Sequence, residues 1–208
     1  MRKTIVITLV LAFGAAIGAA RADLPPRTPG ELRIEMRRLW DDQLIFTRNF
    51  IISTLAMSPD QFPVTEAFLG HQAALADAFT PYYGADASRE LAARLSTHAT
   101  ITVDLVRIIS EGDVEAVPRT RAHWVGSAQQ VSAYLATLNP GWDAAELEDR
   151  LLTYLELTMA EIAGRSIRNW EVELAAYERL RSHATGLADF LSNGIIVQHP
   201  AQFSPTRM

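Results

Sequence analysis

The feature that most constrains the fold of this chain is a threefold internal repeat with a spacing of about 56 residues. Each unit opens with a large apolar residue, at Trp40, Leu95 and Leu151. A polar slot and a threonine four residues later follow in each unit, as Gln43 and Thr47, His98 and Thr102, and Tyr154 and Thr158. The second half of each unit carries another polar slot, at His71, Ser127 and His183. Such a period indicates one supersecondary unit repeated in tandem, which buries its apolar face only by packing on its neighbours.

The local pattern within each unit is helical. Apolar residues recur every three or four positions, as in the stripe Leu32, Met36, Trp40, Leu44 and Ile51, and this is the period of one helical face. No segment alternates apolar and polar residues over a sustained run, so we predict no strand. Turn residues divide the mature chain into six helices, with breaks predicted near 58–60, 81–84, 112–123, 139–141 and 164–169.

Several helix ends carry recognisable signals. Gly112 suits the left-handed position that closes a helix, and we expect the third helix to run from near Asp86 to that glycine. Asp143, with Glu146 three residues later, predicts the start of the fifth helix. The sixth helix is expected to end near Leu191, ahead of Ser192-Asn193-Gly194.

These signals predict an all-α fold of three tandem antiparallel hairpins, over residues 30–84, 85–140 and 141–194. We favour a compact six-helix bundle over an open superhelix, because three repeats with helices longer than 20 residues would make an incomplete solenoid. Residues 23–208 are expected to form one domain, with an extended tail over 195–208.

The N-terminal residues predict export. Arg2 and Lys3 precede an apolar run of about 16 residues, which ends in the small-x-small pattern Ala20-Arg21-Ala22. This run is shorter than the roughly 20 residues that cross a bilayer. We therefore predict a signal peptide over residues 1–22 with cleavage after Ala22, a periplasmic or secreted protein, and no stable membrane span after cleavage. Retention of the segment as an anchor is the alternative.

Composition narrows the classes of function further. The chain has a net charge of -5, and loss of the three cations in residues 1–22 would bring it to about -8. Nucleic-acid binding depends on cationic side chains that neutralise phosphates, so we do not expect a nucleic-acid partner. The chain contains no cysteine, which excludes disulfides and a lipid-modified N-terminal cysteine.

The repeat also predicts a polar layer in the middle of the bundle. Gln43 and His71 are equidistant from the first turn, and the other two pairs of slots are equidistant from theirs. Residues equidistant from the turn of an antiparallel hairpin lie at one height, here roughly 14 residues or 21 Å from the turn. The predicted layer, which we take as the candidate ligand-binding set, comprises Gln43, Thr47, His71, His98, Thr102, Ser127, Tyr154, Thr158 and His183.

Two interpretations of this layer stay open. Buried polar groups cost about 1 to 3 kcal/mol each when unpaired, so the layer could be a hydrogen-bonded network that fixes hairpin register. Alternatively it lines a cavity, because ligand sites in helical bundles are built from inward side chains of facing helices.

The layer does not predict catalysis or a metal site. It holds three histidines but no carboxylate, and the chain has no H-E-x-x-H or E-x-x-H pairing of the zinc-protease or di-iron type. No nucleophile with a base, glycine-rich phosphate loop or haem-attachment motif is present either. The acids near the layer, among them Glu156 and Glu161, are expected to be solvated or paired with arginines such as Arg48. The cofactor, if there is one, is not indicated.

Three stretches of the chain carry a further pattern: LWDDQLIFTRNFIIS over 39–53, PYYG over 81–84 and ADFLSNGII over 188–196. In these stretches, and over nearly all the mature chain, the sequence resembles a group of uncharacterised exported bacterial helical proteins. In that group the slots of Gln43 and Tyr154 usually hold His, as His98 does here, and the slot of His71 usually holds Asn. The resemblance implies an exported all-helical fold and supplies no activity.

Two functions from different classes follow. The first is a periplasmic or secreted binding module that holds a small ligand or ion in the polar layer, and it predicts a cavity at that level. The second is a structural or protein-interaction bundle in which the layer is a closed hydrogen-bond network. An enzymatic role is less favoured than either, because no base or nucleophile has a recognisable setting.

Overall fold

The computed structural model describes residues 28–203, and these residues form six α-helices without a strand. The helices are α1 Pro29–Leu55, α2 Gln61–Asp77, α3 Thr80–Glu111, α4 Val117–Leu138, α5 Ala144–Ser166 and α6 Trp170–Gln198, followed by a short 3-10 turn at Pro200–Gln202. The predicted all-α class and three helical hairpins are confirmed. The predicted signal peptide lies outside the described residues.

The helix ends follow the local chemistry of the sequence. Thr28 caps α1 reciprocally with Glu31, since its Oγ1 accepts from the Glu31 amide at 3.2 Å and the Glu31 carboxylate accepts from the Thr28 amide at 3.0 Å. Asp143 accepts from the Glu146 amide at 2.8 Å at the start of α5, as expected. Asn169 caps α6 in the same way through the amide of Val172.

A residue with left-handed backbone stands in each of the three hairpin turns. Met57 has φ 51°, Gly112 has φ 77° and Arg168 has φ 58°, and the spacing between them matches the sequence repeat. Gly84 also has a positive φ, 85°, and it breaks the first turn of α3 from the rest of that helix. The continuous part of α3 therefore starts beside Asp86, where the sequence predicts it.

The six helices close into a ring. Each helix packs on the next along the chain, and α6 returns to pack on α1. The helices α1, α3 and α5 run in the same direction and also contact one another, so they form an inner trio, with α2, α4 and α6 outside it. All three hairpin turns, at residues 56–60, 112–116 and 167–169, lie at one end of this bundle, which we call the turn end.

The inner trio reproduces the repeat in its packing. Ile51, Val106 and Ile162 occupy one matching slot of the sequence repeat, and all three have no exposed surface. Burying an aliphatic side chain of this size contributes about 1.5 to 3 kcal/mol. Equivalent positions of the three units thus supply equivalent parts of one core.

The extended tail predicted from residue 195 is wrong at its start. Helix α6 continues to Gln198, and Ile195 is fully buried in the core. Gly194, which suggests a helix stop in the sequence, instead permits close packing, because a Cβ there would overlap Nε1 of Trp142. Trp142, in the connection before α5, is itself 3% exposed. Among residues 28–203, no helix has the length and apolarity needed to cross a membrane.

Candidate functional site

A chamber of about 60 Å³ lies at mid-height in the bundle, among the three inner helices. Those helices line it in three layers, formed by Trp40, Leu95 and Leu151, then Gln43, His98 and Tyr154, then Thr47, Thr102 and Thr158. Helices α2 and α4 complete the wall with Phe68, Gln72, Leu75, Trp124, Ala128 and Val131. The three slots that open each repeat unit therefore meet around one space.

Six of the nine residues of the predicted polar layer line this chamber, and three do not. Gln43, Thr47, His98, Thr102, Tyr154 and Thr158 border it, whereas His71, Ser127 and His183 are turned away. The prediction that all nine share one space is therefore wrong for the three residues on the outer helices. Each of those three side chains instead contacts the inner helix of its own hairpin.

The two outer histidines make equivalent bonds in the first and third units. His71 Nε2 lies 3.0 Å from the carbonyl oxygen of Leu39, and His183 Nε2 lies 2.7 Å from that of Arg150. A carbonyl oxygen only accepts, so Nε2 carries the proton in both rings. Burial also lowers the pKa of His71, which favours its neutral form. These two imidazoles hold the register of their hairpins.

In the middle unit the histidine and its hydrogen-bond partner change places between the inner and outer helices. Its histidine, His98, stands on the inner helix, and Ser127 stands on the outer one, with Nδ1 of His98 2.8 Å from the serine oxygen. The Ser127 hydroxyl donates to the carbonyl of Trp124 at 2.7 Å, so its oxygen accepts the Nδ1–H of His98. Nε2 of His98 is then an unprotonated acceptor, and it has no hydrogen bond to any residue in 28–203.

The surroundings of His98 keep it neutral. Its ring stacks on the indole of Trp124, with ring centroids 5.8 Å apart and planes within 12°. Burial lowers the pKa of His98 to about 4, because an imidazolium in this setting loses its hydration. At neutral pH the chamber is therefore bordered by a neutral imidazole whose Nε2 lone pair is available.

The three threonines each make the same kind of hydrogen bond within their own helix. Thr47 donates to the carbonyl of Gln43 at 2.7 Å, Thr102 to that of His98 at 2.9 Å, and Thr158 to that of Tyr154 at 2.9 Å. Each hydroxyl hydrogen is used within its own helix, so each threonine offers the chamber only an acceptor oxygen.

Two wall residues outside the predicted set donate hydrogen bonds to side chains of the layer. Nε1 of Trp124 donates to Thr102 at 2.8 Å, and Gln72 donates to the side-chain oxygen of Gln43 at 3.0 Å. Gln43 in turn donates to Thr47 at 3.3 Å. The signal for both lies in the repeat, because Trp124 is the equivalent of Phe68 and is the only indole at that slot, and Gln72 is the equivalent of Ala128.

Tyr154 contributes the least satisfied polar group of the chamber. Its ring meets Trp40 edge-on with centroids 5.6 Å apart, and its buried hydroxyl has no hydrogen-bond partner among the described residues. Burial, reinforced by the charge of Glu161, raises the pKa of this hydroxyl well above its usual range. The nearby Thr47 hydroxyl offsets part of that shift, but the two oxygens do not have hydrogen-bond geometry. Tyr154 is therefore a proton donor that lacks an acceptor.

A buried ionic cluster lies next to Tyr154 on the side of the turn end. Arg48 reaches Glu161 at 2.6 Å and Glu173 at 2.8 Å, and Arg165 reaches Glu173 at 3.1 Å. The two carboxylates are almost completely buried, and the Arg48 guanidinium also lies over the ring of Tyr177, 4.3 Å from its centroid. Burial raises the pKa of Glu161 to about 7, against the opposing effect of Arg48. The pairing of Glu161 with Arg48 agrees with the sequence-based expectation.

Among residues 28–203, no charged side chain lines the chamber. Across residues 28–203 there is no group of three or more histidine, aspartate and glutamate side chains placed to hold a metal ion. The chemistry available in the chamber is hydrogen bonding by neutral groups within apolar walls.

Comparison with known proteins gives no family for this chain. No protein-family model, no curated protein and no solved structure matches it. The resemblance to exported helical proteins thus stays a prediction, and the function has to be argued from the geometry of the site.

Proposed function

We propose that this protein is a binding module that holds a small neutral ligand in the chamber between His98 and Tyr154. The observation that carries the proposal is that two residues lining the same space each carry a polar atom with no partner among residues 28–203, Nε2 of His98 and the buried hydroxyl of Tyr154. A buried polar group without a partner costs about 1 to 3 kcal/mol, and a ligand that pairs with both removes that cost.

The two atoms define the chemistry of the ligand. The Tyr154 hydroxyl is a donor, and Nε2 of His98 is an acceptor. One hydroxyl, amide or similar group can accept from the first and donate to the second. The walls provide no counter-charge for an ion, and transfer of an isolated charge into such a site is strongly unfavourable, so a neutral molecule fits best.

The volume limits the size of the ligand. About 60 Å³ is well below the roughly 300–1,000 Å³ of pockets for drug-sized molecules. It is enough for about four water molecules, since each needs at least 10–15 Å³ of such volume. The ligand is therefore a molecule of a few non-hydrogen atoms, or one end of a longer molecule.

The site of action follows from the predicted leader. With a signal peptide over residues 1–22, the mature bundle would bind its ligand in the periplasm or after secretion. This localisation is part of the proposal.

A structural or protein-interaction bundle is the second candidate, and one observation favours it. Most polar groups around the chamber already have protein partners, through the Gln72, Gln43 and Thr47 chain and the Trp124 and Thr102 pair. In this case ordered water alone fills the chamber and pairs with His98 and Tyr154.

Native mass spectrometry of protein purified from its own host separates the two candidates. Wild-type protein should carry a small-molecule adduct that is lost on denaturation, and Tyr154→Phe, which removes only the unpartnered hydroxyl, should reduce its occupancy. Tyr134→Phe is the matched control, because the Tyr134 hydroxyl bonds the carbonyl of Ala87 outside the chamber. A wild-type protein at its apo mass contradicts ligand binding and leaves the structural role.

A further inference from the structure

A second and larger space opens at the turn end of the bundle. A cleft of about 470 Å³ lies where the inner helices α1, α3 and α5 end, and its volume is within the range of pockets for metabolite-sized molecules. The residues that matter for its chemistry are Leu55, Ile109, Ser110, Arg165, Arg168 and Trp170. This cleft is separate from the chamber, and its chemistry does not depend on the proposed function.

Of the two arginines of the cleft, one has an ion-pair partner among the described residues and the other does not. Arg165 is paired with Glu173 at 3.1 Å, and its guanidinium lies 5.3 Å from the ring centre of Trp170. The side chain of Arg168 is exposed and makes no hydrogen bond or ion pair with another residue in 28–203. The cleft therefore has one cation whose charge is not already balanced.

Arg168 has a left-handed backbone, as Met57 does in the first hairpin turn. Arg168 has φ 58°, and the equivalent position of the second hairpin is Gly112, the residue type that adopts this conformation without strain. The bond from the Asn169 amide to the Gly164 carbonyl, at 2.8 Å, holds the turn in place. A non-glycine residue in this region of backbone space is strained, and such strain often occurs at functional positions.

The rest of the cleft is suited to an apolar body. Leu55 and Ile109 come from the ends of two inner helices, and Trp170 presents an indole that is half exposed. One free guanidinium beside an apolar wall matches one carboxylate on an apolar chain or ring.

We propose that the cleft at the turn end binds an organic monocarboxylate, with the carboxylate on Arg168 and the apolar part against Leu55, Ile109 and Trp170. Arg165 remains on Glu173 and supports the wall through its contact with Trp170.

Isothermal titration calorimetry of the mature protein tests this proposal with octanoate as the probe and octan-1-ol as its uncharged counterpart. Octanoate should bind, and octan-1-ol should bind at least about tenfold more weakly, because a hydrogen-bonded charge pair contributes roughly this factor. Equal binding of the two, or no binding of octanoate, overturns the proposal.

Arg168→Gly distinguishes lost binding from lost folding. Glycine relieves the strained backbone, so this variant should unfold at a higher temperature than wild type and yet bind octanoate at least about tenfold more weakly. Arg179→Gln, an exposed arginine on α6 away from the cleft, should leave octanoate binding unchanged. Octanoate binding that survives Arg168→Gly, or that falls equally in Arg179→Gln, contradicts the assignment of the carboxylate to Arg168.

Discussion

Nδ1 of His98 lies 2.8 Å from the hydroxyl oxygen of Ser127, and this contact exchanges the roles that inner and outer helices have in the other two hairpins. In the first and third units a histidine on the outer helix bonds the backbone of the inner one. In the middle unit the histidine is on the inner helix and faces the chamber. The exchange leaves Nε2 of His98 free as an acceptor.

Removal of the Ser127 hydroxyl should destabilise the fold. Ser127→Ala leaves Nδ1–H of His98 without a partner in a largely buried position, which costs about 1 to 3 kcal/mol in the free energy of unfolding. Ser132→Ala on the same helix is the control, because the buried Ser132 hydroxyl bonds only the carbonyl of Gln129 one turn earlier. Urea unfolding measures both variants. Equal losses of unfolding free energy in the two variants would show that the hydrogen bond between His98 and Ser127 contributes no extra stability.

His98 should remain neutral far into the acid range. Its pKa is lowered to about 4 in the folded protein, against about 6.5 in an unfolded chain, so the unfolded chain binds more protons between these values. The stability that His98 contributes is therefore complete above about pH 6.5 and is lost as the pH falls toward 4. An NMR titration of the His98 ring reports its midpoint directly. A midpoint near the ordinary value for histidine would show that the ring is not desolvated as described.

The pH dependence of stability due to Glu161 should be opposite in sign to that due to His98. Its pKa is raised to about 7 in the folded protein, from 4.5, by burial, while Arg48, Arg165, Glu173 and Tyr154 are the ionisable groups around it. The folded state binds more protons in this window, so the stability due to Glu161 is complete below about pH 4.5 and is lost as the pH rises through 7.

The variant Glu161→Gln isolates this contribution from that of His98. Relative to Glu161→Gln, the wild-type protein should lose on the order of 3 kcal/mol in the free energy of unfolding between about pH 4.5 and pH 8. Unfolding curves of the two proteins across this range provide the comparison. A difference that stays constant with pH would show that Glu161 is ionised throughout.

Two glycines of α6 should respond oppositely to alanine. Gly194→Ala should destabilise the protein by about 1 to 3 kcal/mol, because its Cβ would overlap the buried indole of Trp142. A Cβ at Gly186 meets nothing within 4 Å, so Gly186→Ala should stabilise the same helix by roughly 0.5 to 1 kcal/mol. Thermal unfolding of the pair measures both effects. Destabilisation by both substitutions would point to a general intolerance of α6 rather than to the Trp142 contact.

The sequence predicts the fold well because the repeat and the helical period act together. The inner slots Ile51, Val106 and Ile162 share a height and a face, and the fold places them in one core. Asp143 and Gly112 mark helix ends by local chemistry that needs no tertiary information.

The outer side of the candidate site could not be predicted from the same pattern. His71 shares an apolar stripe with Phe68 and Leu75, but neighbours on a helix are separated by about 100°, so a broad stripe faces two directions at once. In the structure Phe68 and Leu75 face the chamber, while His71 faces α1 of its own hairpin. Only the packing of further helices against the hairpin decides which residues of the stripe face the chamber.

The burial of the ionic cluster is even harder to predict from the sequence. Carboxylates such as Glu173 are rarely buried, so a pattern of apolar stripes places them outside. Glu173 is 2% exposed because Gly164 lets α5 approach it closely, with a hypothetical Cβ only 2.8 Å from the Glu173 nitrogen, and because Arg48 arrives from α1. Three helices have to meet before this position is neutralised.

The most direct measurement of the proposed function is a high-resolution crystal structure of the protein as purified from its own host. Binding of a small neutral ligand predicts continuous density in the chamber, within hydrogen-bond distance of both Nε2 of His98 and the hydroxyl of Tyr154. Separate water peaks at these two atoms, or an empty chamber, would contradict it.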